Sequence, residues 1–129
     1  MPLDTPQLLC WQLPPFRACV MEGKSLGIMC SYNSVNGVPS CANEWLLNQT
    51  LRSSWRFEGY VTSDCGAVSN ECTPQPGGHG YVPTCANASA LSIKAGTDVD
   101  CGGSCGVCGE GEDCAKNSEV WSSPGSTRM

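Results

Sequence analysis

Dense apolar runs and polar stretches succeed one another along the chain in an order that repeats three times. Residues 14–22 (PPFRACVME) open with prolines suited to a first helical turn and stay apolar at Phe16, Cys19 and Val20, which predicts a helix. Leu26-Gly27-Ile28-Met29-Cys30 is a short apolar run of buried-strand type. Ser31 to Ala42, rich in Asn, Gly, Ser and Pro, reads as loop. Asn43 can cap a second helix whose apolar positions are Trp45, Leu46, Leu47, Leu51 and Trp55. Gly59 to Ser63 reads as a second strand, with Asp64 at its C-terminal end. Pro74, Pro76, Gly77, Gly78 and Gly80 mark a long loop, residues 86–95 suit a third helix ended by Gly96, and Thr97 to Asp100 is a candidate third strand. Helix and strand in alternation, with unpatterned apolar strands, predict an α/β fold built on a parallel sheet. From Cys101 onward the pattern stops, and Gly, Ser, Cys and Glu dominate an expected irregular or disordered tail.

Composition narrows the partners and the compartment. The 129 residues make one ordinary small domain, and a net charge of -5 with seven scattered basic residues argues against nucleic acid. No apolar run approaches the roughly 20 residues of a membrane span. Eleven cysteines point to an oxidising compartment, and the odd count leaves at least one thiol unpaired or a partner missing from the chain. Sequons at Asn48 and Asn87 make both candidate glycosylation sites and agree with an extracellular, secreted protein. Yet Met1-Pro2-Leu3-Asp4-Thr5-Pro6 has neither the charged nor the apolar region of a signal peptide. An interior segment of a longer secreted protein is the simplest expectation.

Four stretches carry a resemblance. They are Leu13-Pro14-Pro15-Phe16-Arg17-Ala18-Cys19-Val20, the run Ile28-Met29-Cys30-Ser31-Tyr32-Asn33 through Asn43, Gly59-Tyr60-Val61-Thr62-Ser63-Asp64-Cys65-Gly66-Ala67-Val68, and Ala95-Gly96-Thr97-Asp98-Val99-Asp100-Cys101-Gly102. In this order and spacing they resemble family 3 glycoside hydrolases of the β-xylosidase and arabinosidase type. The resemblance implies an incomplete (β/α)8 TIM-type barrel fragment, about its last three βα units, over residues 13–102. Residues 1–12 form a divergent edge and residues 103–129 the irregular tail. It also implies that Asp64 is the nucleophile of a retaining hydrolysis, with its acid/base partner on a separate C-terminal domain. Met29 and Tyr32 match positions lining the sugar subsite, where a Tyr hydroxyl can hydrogen-bond the nucleophile. Cys65 stands where glucosidase-type members have Trp, which tilts the substrate towards pentosides. The implied partner is an oligosaccharide or aryl glycoside, no cofactor is called for, and the parent protein needs its other barrel units and C-terminal domain.

On the same resemblance, Cys65 and Cys101 each follow an Asp at the ends of the seventh and eighth strands. Neighbouring strands lie about 4.8 Å apart, so a disulfide is expected there; Cys30 is the second-ranked partner for Cys65. His79-Gly80-Tyr81 matches a His-x-Tyr element of the family, but a lone histidine in a Gly-rich loop is expected simply to be exposed. Cys101, Cys105, Cys108 and Cys114 superficially resemble a zinc knuckle, and Asp98 and Asp100 with Glu110, Glu112 and Asp113 a calcium site. The first lacks patterned surroundings and the second the spacing of a calcium loop, so no metal is expected and these acids are read as solvated. Arg56 replaces the usual Gly between Trp55 and Phe57. A rival reading from another class is a disulfide-stabilised secreted module that binds without catalysis.

Overall fold

The computed structural model describes residues 8–101. The expectations for residues 1–7 and for the tail, including its cysteines and acids, lie outside the described residues. A π-pitch turn at Leu8–Gln12 runs into helix α1 (Leu13–Met21), with proline in its first turn. There follow β1 (Gly27–Cys30), a two-residue hairpin of β2 (Ser34–Val35) and β3 (Val38–Pro39), and helix α2 (Trp45–Ser54). Strand β4 (Tyr60–Ser63) and helices α3 (Ala67–Cys72) and α4 (Cys85–Ala95) complete the order. No described helix is long and apolar enough to cross a membrane.

Local chemistry sets most boundaries. Asn43 Oδ1 accepts the Leu46 N–H at 3.0 Å and so caps α2, which is wound at π pitch and ends with Trp55 N–H on Thr50 O. Thr84 caps α4 by accepting the Asn87 N–H at 3.2 Å. Gly96, at φ +119°, terminates α4 in the left-handed conformation that a side chain would resist. Two short elements escape the sequence pattern. The hairpin lies in the predicted loop 31–42, and α3 opens the segment after Asp64 that reads as loop.

Strands β1 and β4 pair in parallel, Ile28 opposite Val61 and Cys30 opposite Ser63, across the helix that joins them. The third strand expected at Thr97–Asp100 is reduced to a single parallel bridge, Thr62 to Val99. The cause is a carboxylate. Val61 N–H, which would meet a main-chain carbonyl in a regular ladder, instead donates to Asp98 Oδ2 at 2.8 Å, while Val61 O takes both the Asp98 and Val99 N–H groups. Asp98 is therefore not merely solvated: its carboxylate also pairs with Arg52, whose guanidinium reaches Gly59 O at 3.1 Å and Gly96 O at 3.4 Å.

The sheet is covered on one face. Ile28, Cys30 and Val61 pack with Leu47, Leu51, Phe57, Val68, Ala88 and Ala95 into the core. The strands are not buried on both sides, as their apolar runs suggested. Met29 is 55% exposed and Tyr60 54%, so the alternate positions of β1 and β4 look out from the open face. Phe16, expected in the apolar stripe of α1, is also 54% exposed; only Leu13 and Val20 of that helix are buried. Three disulfides tie the unit: Cys30–Cys41, Cys65–Cys101 and Cys72–Cys85. Cys30 thus pairs with Cys41 rather than Cys65, and Cys10 and Cys19 are free and exposed.

Candidate active site

The site grows from the end of β4. Ser63, 1% exposed, points into the covered face, and the alternation of the strand turns Asp64 the other way, half-buried. The backbone of Asp64 is held by its N–H on Cys30 O at 2.9 Å and by its carbonyl, which takes the Ala67 N–H at 2.9 Å. Its carboxylate Oδ1 accepts the Cys65 N–H at 2.7 Å. That bond fixes one carboxylate oxygen.

Cys65 is held on three sides. Its N–H serves Asp64, its carbonyl accepts the Tyr32 hydroxyl, and its sulfur is bonded to Cys101, with Cα atoms 4.3 Å apart. Tyr32 therefore does not hydrogen-bond the Asp64 carboxylate, as the sequence suggested, but the carbonyl of the residue after it. Gly66 follows at φ +89°, a left-handed conformation that favours glycine, and a Cβ there would stand 3.0 Å from the Tyr32 hydroxyl oxygen and press on it. Gly66 N–H closes the ring of contacts on Cys101 O at 2.7 Å.

Met29 lies on β1 opposite Thr62, two positions before Asp64, on the open face. The structure thus brings Met29, Tyr32, Asp64 and Cys65 to one rim, with the Cys65–Cys101 bond at its edge. The two sequon residues lie elsewhere. Asn87 is exposed in the first turn of α4. Asn48 is half-buried on α2, and its Nδ2 donates to Lys94 O at 3.1 Å. Among the described residues no cluster of His, Cys, Asp or Glu could hold a metal ion.

Several supporting residues were not legible as such. Ser63 Oγ donates to Asp100 Oδ1 at 3.0 Å and accepts the Cys101 N–H at 2.8 Å, so Asp100, expected to be solvated, braces the rim from beneath. Glu71 on α3 is wholly buried; its Oε1 accepts the Ser92 hydroxyl at 2.8 Å, and its Oε2 meets no partner among the described residues. Burial pushes the Glu71 carboxyl up to about 7, with Asp100 pushing the same way and the Ser92 bond opposing both. One signal did exist for it: Ala67, Val68 and Glu71 share one stripe of α3, and two of the three are apolar. His79, expected to be exposed, has both ring nitrogens engaged, Nδ1 with Ser34 Oγ at 3.1 Å and Nε2 with Tyr32 O at 2.7 Å.

Known proteins share this arrangement of sequence and fold. The family profile described as "Glycosyl hydrolase family 3 N terminal domain" matches residues 2–102. A probable exo-1,4-beta-xylosidase of Aspergillus terreus is 48% identical over 95 residues, 71% of this chain and 12% of that protein. The exo-1,4-beta-xylosidase xlnD of Emericella nidulans is 48% identical over 104 residues, 79% of this chain and 12% of its own length. Among solved structures, a GH3 exo-beta-xylosidase (XlnD) in complex with a xylobiose aziridine activity-based probe superimposes with a TM-score of 0.74. That match is 48% identical and covers 79% of this chain and 13% of that one. The chain therefore spans only 12% of the length of these relatives and 13% of that of the solved structure.

Proposed function

The chain belongs to glycosyl hydrolase family 3, within its N-terminal domain, and from that premise we propose that it is the nucleophile-bearing segment of a secreted, retaining β-xylosidase-like enzyme. The observation that carries the reading is Asp64. It ends a parallel strand on the open face of the sheet, with one carboxylate oxygen held by the Cys65 N–H. In α/β barrels, functional side chains stand at the C-terminal ends of strands. The parallel pairing of β1 and β4, the bridge at Val99, and the open face bearing Met29 and Tyr60 suit the last βα units of such a barrel, whose inner wall this face would form.

Asp64 attacks the anomeric carbon of a β-xyloside or related plant-wall oligosaccharide as the leaving oxygen takes a proton, and a covalent glycosyl-enzyme results. Water then attacks the same carbon and releases the sugar with its configuration retained. The proton must come from a second carboxyl group about 5 Å from the nucleophile. Neither neighbouring acid offers one: Asp100 is bound to Ser63, and Glu71 is sealed from solvent. On the family resemblance, the acid/base is supplied by a further domain of the whole enzyme. The Cys65–Cys101 bond takes the place beside the nucleophile where glucosidase-type members of the family have a tryptophan, which favours a pentose over a hexose.

The test is a graft. Residues 8–101 replace the matching stretch of the Emericella nidulans xylosidase, and the hybrid is treated with a 2-fluoro xyloside inactivator and peptide-mapped. Labelling at Asp64, absent in Asp64→Ala, is expected; a label on another carboxylate ends the assignment. The 129-residue chain by itself should not turn over an aryl β-xyloside. Turnover lost in Asp64→Ala would show that the chain needs no further domain.

A further inference from the structure

His79 sits on a loop built to hold it still. The Cys72–Cys85 disulfide closes the base of the loop, and main-chain bonds brace its interior: His79 N–H to Asn70 O at 2.8 Å, Gly80 N–H to Thr73 O at 2.8 Å, and Tyr81 N–H to Glu71 O at 2.7 Å. From that fixed point the imidazole reaches across to the segment after β1, 47 residues away for Tyr32 and 45 for Ser34. A carbonyl oxygen can only accept, so Nε2 carries the hydrogen and donates to Tyr32 O. Nδ1 is then the bare acceptor, and the Ser34 hydroxyl donates to it. The opposite neutral tautomer would set two acceptors against each other at Tyr32 O.

We propose that His79 is a positioning residue of the Asp64 site, its ring fixing the Tyr32 main chain so that the Tyr32 hydroxyl stays on the Cys65 carbonyl. The chain of contacts is short and each link is a hydrogen bond. His79 Nε2–H holds Tyr32 O, Tyr32 Oη–H holds Cys65 O, and Cys65 N–H holds Asp64 Oδ1. Without the first link the Tyr32 ring, 45% exposed, has little packing to keep it over Gly66. The Cys65 peptide groups then lose one of their restraints, and the carboxylate loses its fixed orientation. The catalytic consequence rests on the reading of Asp64 as nucleophile; the positioning itself does not.

Two substitutions separate the two ring nitrogens. Gln places a donor where Nε2 stands, whereas Asn reaches only the Nδ1 position. In the 129-residue chain at pH 8, ¹⁵N NMR should show His79 protonated at Nε2 and bare at Nδ1. A Tyr32 hydroxyl proton slowed in exchange by its bond to the Cys65 carbonyl is expected with His79 in place, should persist in His79→Gln and should vanish in His79→Asn. Within the xylosidase graft, His79→Asn should lower kcat on the order of 10- to 100-fold with a smaller change in KM, because misplacement of reacting groups acts on the chemical step. His79→Gln should recover most of that loss. An Nδ1-protonated ring, or a Tyr32 hydroxyl signal that is alike in the Gln and Asn variants, overturns the proposal. A graft that is inactive with His79 in place counts against the nucleophile assignment alone, and the NMR comparison then decides the role of His79.

Discussion

Ser63 and Asp100, 37 residues apart in sequence, are joined by a hydrogen bond of 3.0 Å from the serine hydroxyl to the aspartate Oδ1. The same hydroxyl accepts the Cys101 N–H, so one buried side chain ties the end of β4 to the segment that follows α4. Asp64 and Cys65 come next in the chain and inherit that anchoring. Ser63, the residue before Asp64, is thus a structural keystone of the rim.

Stability should fall as pH rises from about 4.5 to about 7, because of Glu71. Its carboxyl is raised from an ordinary 4.5 to about 7, so the folded protein holds this proton more tightly than the unfolded chain does. Its contribution is complete below pH 4.5, shrinks between 4.5 and 7, and is gone above 7. The span is roughly 3 kcal/mol by the usual conversion of pKa to free energy. Urea unfolding at pH 4.5, 6 and 8 measures it, and Glu71→Gln should flatten the trend; equal slopes for both proteins would refute the assignment.

Arg56→Gly should stabilise the protein. Arg56 sits at φ +54°, in the left-handed region that costs a side-chain-bearing residue about 1–2 kcal/mol. Glycine returns part of that gain through its freer unfolded state, leaving a net of about 0.5–1 kcal/mol. The side chain is exposed, so little packing is lost. A melting temperature that stays level or drops on substitution would contradict this reading of the turn.

Peptide mapping without reduction should recover Cys30–Cys41, Cys65–Cys101 and Cys72–Cys85, with alkylation at Cys10 and Cys19. Replacing both Cys65 and Cys101 by Ala opens a 36-residue loop and should cost about 3–4 kcal/mol. A peptide linking Cys30 to Cys65 would be incompatible with the arrangement at the rim.

Expressed in a secreting eukaryotic host, the chain should carry glycan at Asn87 and not at Asn48. Asn87 is exposed on the first turn of α4, while the Asn48 nitrogen that would bear the sugar is already committed to Lys94 O across a helix contact. Mass spectrometry of glycopeptides decides this, and full occupancy at Asn48 would mean that α2 and α4 do not pack as they do here.

The alternation of helix and strand, the caps at Asn43 and Gly96, and Asp64 at a strand end were all readable from the chain, because each depends on residues within a turn or two of one another. The position between Trp55 and Phe57, where the family resemblance implies Gly, also had a local cause: Arg56 stands there in the left-handed region at φ +54°. Tertiary structure decided the rest. Asp98 placed its carboxylate where a strand neighbour would have put a carbonyl, and the third strand shrank to one bridge. Tyr32 took the Cys65 carbonyl instead of the Asp64 carboxylate, and His79 took Tyr32, over separations of 33 and 47 residues. Glu71 is acidic by sequence and buried only because α3 and α4 close over it. Polar side chains choose partners by where the fold leaves an open donor or acceptor, and that choice is made only once distant segments have packed.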